Sequence, residues 1–244
     1  MANKQTTGKE VRFSGKSCEF RAFVAEPADG AWPWPAVIVV HEWWGLDDHI
    51  RDVARRLAAE GYFAVAPDLY SRQGHQVTKD PDLAAELMGG LLVADGMDDL
   101  ASTIKWINNQ PKADGAHLGV VGFCMGGSYA TLLPCVSKEI KAAAPFYGEI
   151  PTDDQLASLG CPIFYVYGEN DGWIQRPDVD RLGASLKKFG KPGQVKVYAG
   201  CSHGFFNDTR TDVYSAKDAK DAWKRTLELF DVNLKGRTTN TTHD

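Results

Sequence analysis

The chain has 244 residues, 43% of them hydrophobic and 24% charged, with a formal net charge of −5. That length suits one large α/β domain that removes roughly 70–75% of its unfolded surface from water. The acidic balance excludes a basic nucleic-acid face, and no apolar stretch reaches the roughly 18–20 residues of a membrane span.

In chain order, MANKQTTGKEVRF is polar and has no apolar export core, so a cytoplasmic location is expected. Residues of about 10–26 alternate weakly around Gly15-Lys16 and are expected to form a hairpin. Ala36–Val40 is a continuous apolar run, as for a strand covered on both faces. Asp47–Glu60 carries Ile50, Val53, Ala54, Leu57 and Ala58 at helical spacing and ends at Gly61. Phe63–Ala66 is the next strand, and Gly74–Pro81 a polar break. Helices are expected over 82–94 and 96–109, then a strand at Leu118–Phe123 and a small-residue helix at Met125–Val136. Strands at Ala142–Phe146, Pro162–Tyr167 and Gln194–Tyr198 follow, with helices at Val179–Phe189 and Tyr214–Leu234. A single domain over 1–234 and a mobile tail over 235–244 are expected. Alternation of strands and helices implies a mostly parallel sheet with helices on both faces, an α/β fold.

In such sheets ligands sit beyond the carboxyl ends of the strands. Three reactive residues follow strands there: Cys124 in GFCMGG, Asp171 in GENDG and His203 in GCSHG. Nucleophile, acid, histidine is the order of α/β-hydrolases, whose G-x-S-x-G elbow is here G122-F-C-M-G126. A helix N-terminus carries about half a positive charge and free N–H donors, which favour a thiolate. His203 would serve as base and then acid, and Asp171 would hold its tautomer. Ser128 is a rival nucleophile, but it falls inside the expected helix. The loop H41-E-W-W-G45 follows another strand, and in this fold such a loop gives the second oxyanion donor. The donors are assigned to the backbone N–H groups of Trp43 and Met125. Glu42, a carboxylate near the thiol, would disfavour thiolate and so oppose the histidine and the helix dipole. The five cysteines show no CxxC pair, and HExxH is broken at Gly45, so neither a disulfide framework nor a metal site is expected.

VHEWWGLDDHIRDVARRLAAEGYFAVAPDLY, GFCMGG, YGENDGW and GCSHGF together resemble the dienelactone hydrolase family of α/β-hydrolases over roughly residues 10–234. The resemblance implies an eight-stranded, mostly parallel sheet and a Cys-His-Asp triad at Cys124, His203 and Asp171. It implies that Glu42 keeps the resting thiol neutral and helps deprotonate it when substrate arrives. The implied reaction is hydrolysis of an enol-lactone, with no cofactor. Members that act on dienelactone hold its carboxylate with arginines, one of them four residues after the histidine; this chain has Asn207 there. Arg72, Arg176 and Arg210 are candidate carboxylate binders, and Trp43, Trp44, Phe205 and Phe206 candidates for an aromatic pocket.

The expected partner is a small ester or lactone, with no nucleic acid and no membrane, and the protein is expected as a monomer or small homo-oligomer. A thioesterase or acyltransferase on the same scaffold would differ by diverting product to added alcohols or amines. A non-catalytic binding protein would bind without turnover, and would have no need of Cys124, Asp171, His203 and the elbow glycines together.

Overall fold

The computed structural model describes residues 6–237 apart from Ser17. Eight strands form one sheet: β1 (Thr6–Ser14), β2 (Glu19–Pro27), β3 (Trp34–Val40), β4 (Phe63–Pro67), β5 (Ala113–Phe123), β6 (Ile140–Phe146), β7 (Ile163–Asn170) and β8 (Gly193–Ser202). Their order is β1-β2-β4-β3-β5-β6-β7-β8. β1 and β2 pair antiparallel, as does β2 with β4, and every other pairing is parallel. The expected α/β fold with a mostly parallel eight-stranded sheet is the fold observed.

The helices are α1 (Asp48–Ala59), α2 (Pro81–Gly90), α3 (Val93–Asn108), α4 (Met125–Val136), α5 (Asp153–Ala157), α6 (Arg176–Lys188) and α7 (Ala216–Lys235). The central strands divide their side chains between two cores, since successive residues of a strand face opposite sides. Val37, Val39 and Val121 pack with Ile50, Val53 and Leu57 of α1 and Phe230 of α7. Ile38, Val40 and Val120 pack with Leu100 and Ile104 of α3, Leu133 of α4 and Leu182 of α6. Burial on both faces explains why β3 and β5 read as unbroken apolar runs rather than as alternating ones.

Several boundaries differ from those expected. The hairpin begins earlier, at Thr6, because a polar edge strand has a weak pattern. β7 and β8 extend past Tyr167 and Tyr198 through polar residues, which places Asp171 and His203 directly after their last residues. The one-turn helix α5 was not expected; a reciprocal cap between Thr152 and Gln155 starts it. Lys235 and Gly236, assigned by sequence to the tail, are the last residue of α7 and its left-handed cap at φ 64°. Residues 238–244 of that expected tail lie outside the described residues. No helix among the described residues is long and apolar enough to cross a membrane.

Candidate active site

β5 ends at Phe123 and α4 begins at Met125, so the chain turns through Cys124 alone. Cys124 has φ 55° and ψ −121°. A non-glycine residue there costs about 1–3 kcal/mol and persists only where its surroundings impose it. They do so here by backbone contact. A Cβ on Gly126 would lie 2.3 Å from the Val40 carbonyl oxygen and 2.5 Å from that of His41. One on Gly122 would lie 2.0 Å from the Gly126 oxygen. The elbow is thus wedged against the end of β3, and only glycine fits. The Cys124 N–H donates to the Phe146 carbonyl (3.1 Å), and its own carbonyl accepts from the Gly127 and Ser128 N–H groups (2.8 and 3.2 Å). The Met125 N–H is left free to face the sulfur.

The thiol is 7% exposed. Burial pushes its pKa well up, and the neighbouring Glu42 carboxylate pushes it further. The backbone N–H groups of Met125 and Trp43 act in the opposite direction, favouring the thiolate. Among the described residues, no hydrogen bond joins the thiol to His203. Burial and Glu42 thus favour the neutral thiol, and the two backbone donors oppose them. Glu42 is 3% exposed. Burial raises its carboxyl to about 7, against the lowering effect of a 2.6 Å hydrogen bond from Asn207 Nδ2.

The loop after β3 is pinned by side chains. His41 Nε2 accepts from the Leu69 N–H at 3.1 Å, so its Nδ1 must carry the hydrogen and donate to the Glu42 carbonyl at 2.6 Å. The ring is fully buried, which lowers its pKa and keeps it neutral in that tautomer. Tyr70 donates its hydroxyl to the Trp43 carbonyl at 3.0 Å. Neither His41 nor Tyr70 was expected at the site, because a lone loop histidine and a lone tyrosine carry no spacing signal.

His203 and Asp171 meet across β7 and β8. Imidazole Nδ1 lies 2.8 Å from Asp171 Oδ2. The other carboxylate oxygen accepts from the Trp173 and Ile174 N–H groups, both at 2.8 Å. Asp171 is thus at once a turn residue and the partner of His203. Two further aromatics hold the imidazole edge-on: Tyr147 at 4.9 Å between ring centroids and Trp173 at 5.3 Å. Tyr147 also has a positive φ of 41°, and its hydroxyl is buried, with the Phe206 backbone beside it.

Cys124 and His203 line one cavity of about 270 Å³ together with Trp43, Met88, Trp173 and Arg210. The structure sorts the remaining candidates. Asn207 is buried, with its amide turned toward Glu42 because Thr209 donates to Oδ1 from both N–H (3.0 Å) and hydroxyl (2.7 Å). It supports Glu42 and does not line the cavity. Phe205 is a core residue packed between Tyr147 and Tyr198. Phe206 stacks on Phe123 in the same core. Trp44 lies edge-on behind Trp43, with the Arg210 guanidinium over its ring. Arg72 is not at the site: it pairs with buried Asp99 and covers Phe20. Arg176 pairs with Asp180 on the surface of α6. Of the three arginines, Arg210 alone lines the cavity, and it pairs with Asp212 at 2.5 Å. Ser128 sits inside α4 and accepts from the Glu149 N–H at 2.8 Å, and among the described residues no hydrogen bond joins it to an imidazole. Met88 and Trp173 were missed as lining residues; helix and motif were read, but nothing in a linear pattern shows which side chain faces a cleft. Among the described residues, no group of three or more His, Cys, Asp or Glu side chains could hold a metal ion.

Known proteins agree with this arrangement of strands. The dienelactone hydrolase family model matches residues 20–234. A protein of Methylorubrum extorquens assigned as a carboxymethylenebutenolidase is 35% identical over 233 residues, covering 91% of this chain and 79% of its own. One of Aquifex aeolicus with the same assignment is 32% identical, covering 93% of this chain and all of its own. A crystal structure from Klebsiella pneumoniae, assigned as a dienelactone hydrolase, superposes with a TM-score of 0.87 at 32% identity, covering 93% of this chain and 98% of its own. The chain belongs to the dienelactone hydrolase family, whose members are hydrolases of lactones and esters.

Proposed function

We propose that the chain hydrolyses a small ester or lactone through an acyl-enzyme on Cys124. The observation that carries this is one cavity lined by both Cys124 and His203, with Asp171 bound to the far nitrogen of the imidazole. The substrate carbonyl oxygen points at the Trp43 and Met125 N–H groups, which already face the sulfur. Removing such a donor costs about 2.7–4 kcal/mol of transition-state stabilisation. Glu42 helps the thiol give up its proton when substrate arrives, and the proton ends on His203. The S–C bond forms, the carbonyl π pair becomes the oxyanion, and on collapse the C–O bond breaks as His203 returns the proton to the leaving oxygen. A water activated by His203 then cleaves the thioester and restores the thiol. Asp171 holds the proton on Nδ1 and stabilises the imidazolium.

The relatives' assignments point to an enol-lactone, but the arginine expected four residues after the histidine is missing: Asn207 stands there and is engaged with Glu42, and Arg210, which lines the cavity, is already paired with Asp212. A charge-assisted bond is worth roughly 1.5–3 kcal/mol, so neutral esters or lactones are the expected substrates in preference to dienelactone itself. We place the protein in the cytoplasm, where its five free thiols would stay reduced. The test is initial-rate hydrolysis of p-nitrophenyl acetate and of cis- and trans-dienelactone by wild type and Cys124→Ala. Turnover by wild type alone supports the reading, and equal turnover by both refutes the nucleophile.

A further inference from the structure

A second cavity, of about 360 Å³, adjoins the one that holds the reactive pair. The two share Met88 of α2 and Trp173 of the loop after β7. Met125, the residue after the nucleophile, lines the second cavity, and Leu91, Leu132 and Ile150 complete its apolar wall. Val93, at the start of α3, lines it and is 60% exposed, and the neighbouring Leu92 is 65% exposed. Two such side chains left in water beside an apolar hollow suit a surface that apolar material crosses. Its polar lining is Ser128, Glu149 and Gln155: Ser128 accepts from the Glu149 N–H, Gln155 Oε1 accepts from the Thr152 N–H and hydroxyl, and the Glu149 side chain is exposed to solvent.

The position of this cavity relative to the reacting atoms assigns it a role. A carbonyl carbon bonded to Cys124 has its oxygen toward the Trp43 and Met125 N–H groups. Its leaving oxygen must lie by His203, which lines the first cavity and not the second. The remaining substituent, the acyl chain, is the group directed past Met125 and Trp173. We infer that the cavity bounded by Met88, Leu132, Ile150 and Trp173 is an acyl-chain subsite, and that the substrate class is esters of medium-length apolar acids. A methylene needs about the room of a water molecule, roughly 30 Å³, so about 360 Å³ has room for up to about twelve carbons and takes an acyl group of six to eight with space to spare. This rests on the acyl-enzyme reading above.

The test is kcat/KM for two ester series on the wild-type chain. One lengthens the acyl chain on a constant p-nitrophenol, from acetate to octanoate; the other lengthens the alcohol on a constant acetyl group. Burial of each methylene raises kcat/KM by about fourfold, so hexanoate, four methylenes longer, should exceed acetate on the order of 10²-fold, while the alcohol series stays comparatively flat. Leu132→Trp fills the cavity from α4 and should collapse the hexanoate-to-acetate ratio toward one. Ile150→Trp, from the opposite wall, serves if that variant does not fold. Turnover of acetate with no gain along the acyl series, a gain in the alcohol series instead, or a ratio untouched by a folded filling variant overturns the subsite. Absence of turnover with every ester, or full activity in Cys124→Ala, strikes the acyl-enzyme reading itself.

Discussion

Cys124 is positioned by backbone and His203 by side chains. On the nucleophile side, a strained residue at φ 55° is held because Gly122 and Gly126 bring α4 against the end of β3 with no room for a single Cβ. Both the thiol and Glu42 are buried, and burial pushes both toward their neutral forms. On the histidine side, a partly exposed imidazole is held by one carboxylate, itself anchored by two loop N–H groups, and by two aromatic rings. The difference teaches what each half can tolerate. A backbone-packed site fails sterically, as a loss of fold; a side-chain-held site fails chemically, with the fold intact.

Asp171→Asn should break the second half alone and have the largest effect. The amide oxygen can still accept from Trp173 and Ile174, but the amide nitrogen now faces Nδ1 and favours the wrong tautomer. Ester turnover should drop on the order of 10³–10⁴-fold with an unchanged far-UV spectrum and midpoint of unfolding. Gly126→Ala should do the reverse. Its Cβ meets carbonyl oxygens that no side-chain movement can clear, so denaturant unfolding should show a loss of about 3 kcal/mol or more.

Glu42 sharpens the contrast through pH. Its carboxyl is raised in the fold from an ordinary 4.5 to about 7. The folded state therefore holds a proton that the unfolded chain has released. Stability from this group is fully present below about pH 4.5 and is lost as pH rises through 7, amounting to about 2–3 kcal/mol. Wild type should lose that much relative to Glu42→Gln across the window, measured by denaturant titration at each pH. The activity of wild type should rise on an acid limb near pH 7, where Glu42 ionises, and Glu42→Gln should lose that limb. The smallest effect is expected from Asn207→Ala, which removes the one hydrogen bond favouring the Glu42 carboxylate. It should shift the acid limb upward by about one to two pH units, leaving the Asp171–His203 pair untouched.

The legibility of the two halves in the sequence differs for the same reason. Cys124, Asp171 and His203 could be placed because each follows a strand whose apolar run is visible, and a parallel sheet brings strand ends together. The spacing of Cys124 from the elbow glycines is local, so a linear pattern carries it. The reading faltered where a contact joins distant segments without a periodic signal. Asn207 stands where the family's arginine faces the substrate, but Thr209 turns its amide inward to Glu42, which is 165 positions earlier. Arg72 was a candidate by charge alone, and buried Asp99 claims it. Phe205 and Phe206 were aromatic candidates whose burial depends on Tyr147, Tyr198 and Phe123 across the sheet. Met88 reaches the cavity only through the path of α2 over the cleft, which no local pattern encodes.

The claim that Cys124 takes the acyl group is tested most directly by trapping that group. Wild type and His203→Ala should be acid-quenched at early times with p-nitrophenyl acetate, and the acetyl adduct mapped by peptide mass spectrometry. An acetyl group on Cys124, assigned by fragment ions that separate it from Ser128 and persisting longer in His203→Ala because water is no longer activated, is the expected result. Hydrolysis that proceeds in wild type with no acyl group on Cys124, or with the group on Ser128, would contradict the account.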